Sequence, residues 1–288
     1  LPVSRIAYVN GLYTPLAQAR VHIEDRGYQF ADGVYEVVEV YQGELIDERR
    51  HLDRLACSLR ELRIGAPLGD AALRIVLREI VARNKLRDGF VYLQVTRGVA
   101  RRDHFFPDPP PQPSLVVTAR LGDPAKAEAK AAQGIGVTSM PDLRWKRPDI
   151  KTINLIANVL AKQAAKEQGS GEAWLLDEDG MVTEGGSSNA WIVTPDGTLV
   201  THPIGNGILG GVTRATLMTL INSLGLRVEE RRFSLAEAYA AREAFVTSAT
   251  SLVTPVVSID GRPVADGTPG PMASLLRERF HAIAPRSR

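Results

Sequence analysis

Two hydrophobic stripes at helical spacing stand out early in the chain. Leu52, Leu55, Ala56, Leu59 and Leu62 form one face of a helix predicted from Glu48 to about Ile64, with Asp47 as its cap. Leu73, Val76, Leu77, Ile80 and Val81 make a second stripe, following Asp70 and ending near Asn84. Strands are predicted around them: a hairpin over Ile6–Tyr13 turning at Asn10-Gly11, then Val34–Tyr41, Phe90–Thr96 and Ser114–Ala119. Residues 23–36 are too polar and glycine-rich for a core strand, and 98–113 read as an irregular loop stiffened by five prolines.

The second half opens with a strand near Ile135–Met140. Ile153, Ile156, Ala157, Leu160 and Ala164 then predict a helix from Thr152 to about Gln168. A hairpin follows, Ala173–Asp177 and Met181–Glu184 about a turn at Glu178-Asp-Gly180, and then strands at Trp191–Thr194 and Leu199–Thr201. A helix is expected from the glycine-rich 205–211 stretch to Leu224, a strand at Leu226–Glu230, and a capping box at Ser234–Glu237. Strands at Ala244–Ser248 and Val253–Ile259 and a helix from about Pro271 to Ala284 close the chain. Strands dominate without a strict βαβ rhythm, which predicts an α+β fold. The polar, alanine-rich segment around Gly122-Asp-Pro124 suggests a small N-terminal α+β domain over 1–119, a linker over 120–126 and a larger C-terminal α+β domain over 127–288.

Composition narrows the classes. A hydrophobic share of 44% and a charged share of 24% suit a soluble globular protein. Thirty-five basic against 33 acidic residues leave +2, too little to argue for nucleic acid or an anionic membrane. One cysteine, Cys57, excludes an internal disulfide framework and points to a reducing cytoplasm. The start, Leu1–Ile6, does not read as a leader, and no apolar run reaches membrane-spanning length. The histidines are scattered without ligand spacing, so no metal is expected.

Several stretches carry chemistry. Lys151 precedes a helix on extended residues with apolar neighbours. It is either a solvated surface charge or an amine made nucleophilic by losing charge stabilisation. Arg26, Tyr28 and Tyr35 line either a site wall or a packed edge. The cluster Arg101-Arg102-Asp103-His104 suits capture of a carboxylate, or is a basic surface loop. Glycines 205, 207, 210 and 211 ahead of Thr213 make an anion site at a helix start. The same letters fit a dinucleotide fingerprint with Glu229 and Glu230 beyond it, which leaves a nicotinamide-dependent oxidoreductase as a rival of another class. Glu184 is either an exposed hairpin carboxylate or one that keeps a heteroaromatic nitrogen protonated.

The stretches Glu24–Val38, His51-Leu-Asp-Arg-Leu55, Gln94-Val-Thr-Arg-Gly98, Asp149–Leu155, Thr183–Asn189, Ile208–Arg214 and Phe245-Val-Thr-Ser248 stand in one order. In that order the chain resembles the class IV aminotransferases, and most closely their D-amino acid branch, from about residue 6 to about 262. The resemblance implies the two-domain fold shared with branched-chain aminotransferases, pyridoxal 5'-phosphate as cofactor, and a homodimer with a shared active site. The implied reaction is ping-pong transfer of an amino group from a D-amino acid such as D-alanine to a 2-oxo acid such as 2-oxoglutarate or pyruvate. Alternatives on the same fold are a branched-chain or (R)-amine transaminase and an aminodeoxychorismate lyase.

Residue by residue, Lys151 resembles the lysine that bonds to the cofactor and shuttles the substrate proton. Glu184 resembles the partner of the pyridine nitrogen and Arg54 the phosphate-binding arginine, aided by Val212 and Thr213. Leu209 resembles the residue packed on the ring, with Ser187, Ser188 and Asn189 as the hydrogen-bonding shell beside it. Tyr35, Arg102 and His104 resemble the carboxylate trap, the last two contributed by the neighbouring subunit. After Ser248 the family places a threonine at the phosphate. Here Ala249 stands instead, leaving a backbone N–H, with Thr250 next to it. Arg101 adds a second cation to the trap, and Glu39 stands where D-alanine-type enzymes carry a basic residue.

Overall fold

The computed structural model describes residues 5–287, so the reading of the first four residues lies outside the described residues. The chain divides into two compact units. One runs to Asp123 and takes in Ile150–Asn154 and the chain end from Pro285; the other is Pro124–Asp149 with Leu155–Ala284.

The first unit is built on a seven-stranded sheet in the order Arg286–Ser287, Glu44–Ile46, Gly33–Tyr41, Gly89–Thr96, Ser114–Leu121, Ile6–Val9, Leu12–Pro15. Every pairing in it is antiparallel. The Gly33–Tyr41 strand buries Val34, Glu36, Val38 and Val40 and leaves Tyr35, Val37 and Glu39 half-buried, the alternation of a sheet covered on one face. The cover is the helices Glu48–Glu61 and Asp70–Arg83, whose Leu52, Leu55, Leu59, Leu77 and Ile80 join the strand valines in one core.

Local departures have physical causes. Asp47 precedes its helix in a left-handed conformation, φ 54°, and caps nothing with its side chain; its carboxylate takes Arg50 instead. The stretch expected as loop contains a short helix, Arg26–Phe30, because the Asp25 carboxylate accepts the Gly27 N–H. The helix expected from Thr152 begins at Ile156 and ends at Glu167. Ile150–Asn154 are drawn into the first unit instead. The Tyr35 N–H donates to the Lys151 carbonyl at 3.0 Å, the Ile153 N–H to the Gly33 carbonyl at 3.1 Å, and Thr152 bridges Val34. The segment with Lys151 therefore groups with the first unit, not with 127–288. The helix buries Ala161 and Ala165 against Ala173 and Leu175, while Ile156 and Leu160 are 64% and 62% exposed, the reverse of the face read from the sequence.

The second unit carries a ten-stranded mixed sheet. Its path is Val228–Glu230, Leu199–Thr201, Asn189–Val193, Glu243–Ser248, Leu252–Ile259, Ile135–Pro141, Glu172–Leu176, Met181–Gly185, Phe233–Ser234, with Arg262–Pro263 beside Leu252–Ile259. Trp191 stacks on Phe245, ring centroids 5.5 Å apart, under the helices Val212–Ser223 and Pro271–Ile283. Trp174, Val182, Phe233 and Val256 belong to a second core cluster. The capping box at Ser234–Glu237 forms as expected. A helix over Pro124–Gln133 takes in the last three residues of the linker read at 120–126. The fold is α+β, and among the described residues no helix is long and apolar enough to cross a membrane.

Arg26 and Arg97, both buried, converge on Asp32 at 2.8 and 2.7 Å. Burial pushes the Asp32 carboxyl up, but the hydrogen bonds and charges of the two guanidinium groups outweigh it and leave the carboxyl below its ordinary value. Removing it strands two buried cations, so Asp32→Asn is expected to cost about 3–5 kcal/mol in urea denaturation at neutral pH. A depressed carboxyl contributes above its unfolded value and loses that contribution as pH falls through the folded one. The gap between the two proteins should therefore close in acid, below the ordinary aspartate range. A loss under about 1 kcal/mol would mean the pair behaves as a solvated surface bridge.

Candidate active site

In the first unit Lys151 is fixed by its backbone. Its N–H donates to the Ser58 hydroxyl at 3.2 Å and its carbonyl accepts from Tyr35, which aims the side chain across the half-buried sheet face. The Lys151 Nζ lies 4.2 Å from the centroid of the Tyr35 ring. Gln94 stands opposite Tyr35 and Tyr92 opposite Val37 on the next strand. The Tyr92 hydroxyl donates to the Gln94 amide oxygen at 2.7 Å, and burial, with Tyr35 nearby, pushes that phenol up to about 12. An amine is thus held on an aromatic wall.

Behind this wall sits Arg54, on the helix packed against the sheet's other face. Its Nε and one terminal nitrogen grip both oxygens of Glu36 at 2.7 Å, and Glu36 also meets His51 Nδ1 at 2.7 Å. Burial pushes the Glu36 carboxyl up, yet the Arg54 charge and hydrogen bonds, with the His51 contact, bring it down to about 2. Burial drives His51 the other way, below its ordinary value. Arg54 is therefore oriented as one half of a permanent ion pair.

Arg102 and His104 gather around Phe30. The Arg102 guanidinium lies 4.5 Å from that ring's centroid and the His104 ring 5.4 Å from it, and Arg102 donates weakly to the Gln29 carbonyl at 3.4 Å. Both side chains are exposed. Their partners are Phe30 and Gln29 rather than Tyr35.

In the second unit the centre is Glu184, buried near the end of its strand. Arg144 and the Leu209 N–H donate to its Oε1, the latter at 3.1 Å, and Asn189 donates to Oε2 at 2.9 Å. Burial pushes the Glu184 carboxyl up and leaves it above its ordinary value, with Arg144 the main force pulling it back. Asn189 also donates to the Leu209 carbonyl at 3.0 Å, which clamps the glycine-rich loop to the hairpin. Ser187 and Ser188 point elsewhere: both hydroxyls donate to Glu172, at 2.8 and 3.2 Å, where Lys162 also arrives at 3.0 Å.

The helix Val212–Ser223 starts at Gly211 without a side-chain cap, so the N–H groups of Val212 and Thr213 have no partner within the helix. This is the anion-binding arrangement expected from the glycines. The dinucleotide alternative has a local basis, since Leu199–Thr201 and Val228–Glu230 pair in parallel about this helix. It stops there: Glu230 pairs with Arg214 and Glu229 with Arg231, and the neighbouring strand Asn189–Val193 is antiparallel. Ser248 bonds within its own turn, to Thr250 at 3.2 Å and Ser251 at 2.8 Å, beside Ala249.

The sequence pattern of the family Amino-transferase class IV matches residues 33–259. The chain belongs to the class IV aminotransferases. It is 42% identical over 264 residues to a D-alanine aminotransferase of Bacillus licheniformis, 91% of each chain being covered. A D-alanine aminotransferase of Listeria monocytogenes is likewise 42% identical, over 94% of this chain and 93% of that one. Among solved structures, a T.th. branched-chain amino acid aminotransferase with pyridoxamine 5'-phosphate superposes with a TM-score of 0.88 at 27% identity, covering 96% of this chain and 93% of that one.

Within this class IV chain, three contributors escaped the sequence reading. Glu36 had a signal: a carboxylate at the inward parity of a valine strand must find a cation. His51 follows from Glu36. Arg144 had none, lying in an irregular loop between elements.

The clamp on Glu184 can be tested without any ligand. A Cβ on Gly211 would lie 2.0 Å from the Asn189 amide oxygen. Gly211→Ala is expected to displace Asn189 and destabilise the protein by about 1–3 kcal/mol, read as a lower thermal midpoint. An unchanged midpoint would show that the loop yields freely.

Proposed function

We propose that this class IV chain is a pyridoxal 5'-phosphate-dependent transaminase that moves the amino group of a D-amino acid, D-alanine foremost, to a 2-oxo acid. The observation that carries the substrate class is the 42% identity to D-alanine aminotransferases over nine-tenths of the chain. The cofactor fits the donor sets. A buried carboxylate with three donors already in place suits a protonated ring nitrogen, an uncapped helix start after glycine suits a phosphate, and an amine on an aromatic wall suits a carbonyl carbon.

When bound, pyridoxal phosphate supplies an electron sink that acidifies the substrate's α-hydrogen. Lys151 Nζ holds the cofactor at rest and carries the α-proton during turnover. Glu184 keeps the ring nitrogen protonated, with Asn189 holding Glu184 and the Leu209 backbone in place. Arg54 and the N–H groups of Val212 and Thr213 hold the phosphate, with Ser248 and the Ala249 N–H as further donors. Leu209 packs the ring, and Ser187 and Ser188 act through Glu172 to shape the turn after Glu184. Tyr35 faces the substrate, and Thr250 borders it.

The working form we infer is a homodimer in which Arg102 and His104 serve the neighbouring subunit's substrate carboxylate. Their exposure, and their having Phe30 and Gln29 rather than Tyr35 as neighbours, agree with that. A free Cys57 agrees with a reducing cytoplasm.

Lys151→Ala should abolish turnover and leave the fold intact, since Ser58 and Tyr35 hold the backbone of residue 151 and not its side chain. Borohydride reduction of the holoenzyme followed by peptide mapping should mark Lys151. A mark on Lys146, Lys162 or Lys166 would sink the assignment.

Arg102→Ala removes one charge-assisted contact, about 1.5–3 kcal/mol, so kcat/KM for D-alanine should fall roughly ten- to hundredfold. A carboxylate-free amine should be scarcely affected, and Arg101→Ala should do much less. Equal losses on both substrates would make Arg102 structural. Faster turnover of L- than D-alanine in the unsubstituted enzyme would overturn the substrate class.

A further inference from the structure

Glu184 is held in a way that its proposed role does not by itself require. An ionised carboxylate offers four lone-pair directions. On Oε1 the two directions are taken by Arg144 and the Leu209 N–H, and on Oε2 one is taken by Asn189. One acceptor direction is left, on Oε2. The Arg144 guanidinium is itself locked, its Nε and second terminal nitrogen donating to the two oxygens of Asp142 at 2.9 and 2.7 Å. Asp142 is fixed in turn by the Thr183 hydroxyl at 3.0 Å, one residue before Glu184 on the same strand.

We propose that Arg144 is a positioning residue for the reaction: anchored on Asp142, it keeps the buried Glu184 carboxylate an acceptor, so that only a ring nitrogen bearing a hydrogen can satisfy it. The inference rests on the reading of Glu184 as the partner of the cofactor's pyridine nitrogen. Glu184 is buried, and burial favours its neutral form; Arg144 is the strongest opposing influence. Burial also presses on Arg144, but the two carboxylates more than compensate and hold it charged. Without the guanidinium only the Leu209 N–H and Asn189 are left to oppose the desolvation of Glu184, and the carboxyl gains a proton. Its last open position then offers a bare ring nitrogen a neutral hydrogen bond in place of the charge-assisted one, and the ring loses its proton. Lysine would not replace arginine here, because the planar fork grips Asp142 with two nitrogens and reaches Glu184 with the third.

The test compares two probes on the full-length apoenzyme: pyridoxal 5'-phosphate and its analogue with a C–H in place of the ring nitrogen. Both keep the aldehyde and the phosphate, so the ratio of their affinities reads the ring-nitrogen contact alone. Tryptophan fluorescence titration supplies the dissociation constants, and thermal melting of each apoenzyme checks the fold. The unsubstituted protein is expected to favour the natural cofactor by about ten- to hundredfold. Arg144→Gln should cut that ratio about fivefold, the difference between a charge-assisted and a neutral hydrogen bond, and Arg144→Met, neutral and of similar length, serves if the glutamine variant does not fold. Arg144→Lys should fall between. Equal weakening of both probes, with the ratio kept, would make Arg144 a structural brace and overturn the proposal. No preference in the unsubstituted protein would overturn the reading of Glu184 itself, a failure distinguishable from the first.

Discussion

Five residues of backbone set the position on which the proposed chemistry depends. Ile150–Asn154 leave the second unit's chain and hydrogen-bond along the start of the Gly33–Tyr41 strand, through Tyr35 to Lys151 and Ile153 to Gly33. Gly33 permits the approach. A Cβ there would sit 2.7 Å from the Val95 carbonyl and 3.1 Å from Ile153. Because the side chains of paired segments alternate with their backbone, this pairing decides the direction in which Lys151 points. A one-residue slip would send the amine away from Tyr35. The lysine proposed as catalytic is thus placed by main-chain hydrogen bonds, which no substitution of its own side chain removes.

Around that placement the protein solves one electrostatic problem repeatedly. Asp32, Glu36, Glu172 and Glu184 are carboxylates largely or fully withdrawn from water, and each has a cation in contact: Arg26 and Arg97, Arg54, Lys162, and Arg144. A buried charge of this kind costs several kcal/mol unless it is paired and its remaining lone pairs are filled. The pairs differ in what they leave over. Glu36 is held by Arg54 and His51, so its effect is to orient the arginine. Glu184, on the reading proposed, meets the cofactor with the lone pair its three donors leave open. Each carboxylate accepts three donors, but on Glu36 all come from two side chains of one helix, whereas on Glu184 they come from a loop, a strand and the glycine-rich stretch.

How much of this was legible follows the same division. Backbone-driven features were readable: the turn at Asn10-Gly11, the capping box at Ser234, the glycine-led helix start at Gly211. Hydrophobic period gave the leucine faces of the two N-terminal helices because those faces meet the sheet. It misled on Ile156–Glu167, since period reports an apolar stripe but not whether anything covers it. Here two small alanines pack and Ile156 and Leu160 do not. Ser187 and Ser188 were read toward the ring from resemblance, yet their hydroxyls serve Glu172, 15 and 16 residues earlier on a different strand. Arg144 lay beyond reach altogether, because its meaning arises only when a loop is folded back on a hairpin 40 residues away.

The fold alone does not choose between substrates, since branched-chain and D-alanine aminotransferases both resemble this chain. On the reading proposed, the choice falls to the loop bearing Arg102 and His104, and that loop has no regular structure of its own. Its conformation is held from the first unit's interior. Arg26, bound to Asp32, donates to the Asp103 carbonyl at 2.7 Å, and Arg97, bound to the same carboxylate, lies 3.8 Å from the Phe106 ring centroid. Phe30, at the end of the helix that Arg26 begins, carries the two trap side chains. Asp32 therefore sits beneath the loop as the point where its two anchors meet. A change at that buried carboxylate would loosen the fold and the presentation of Arg102 and His104 together. Selection for substrate handedness in this chain would accordingly act on residues that never approach a substrate.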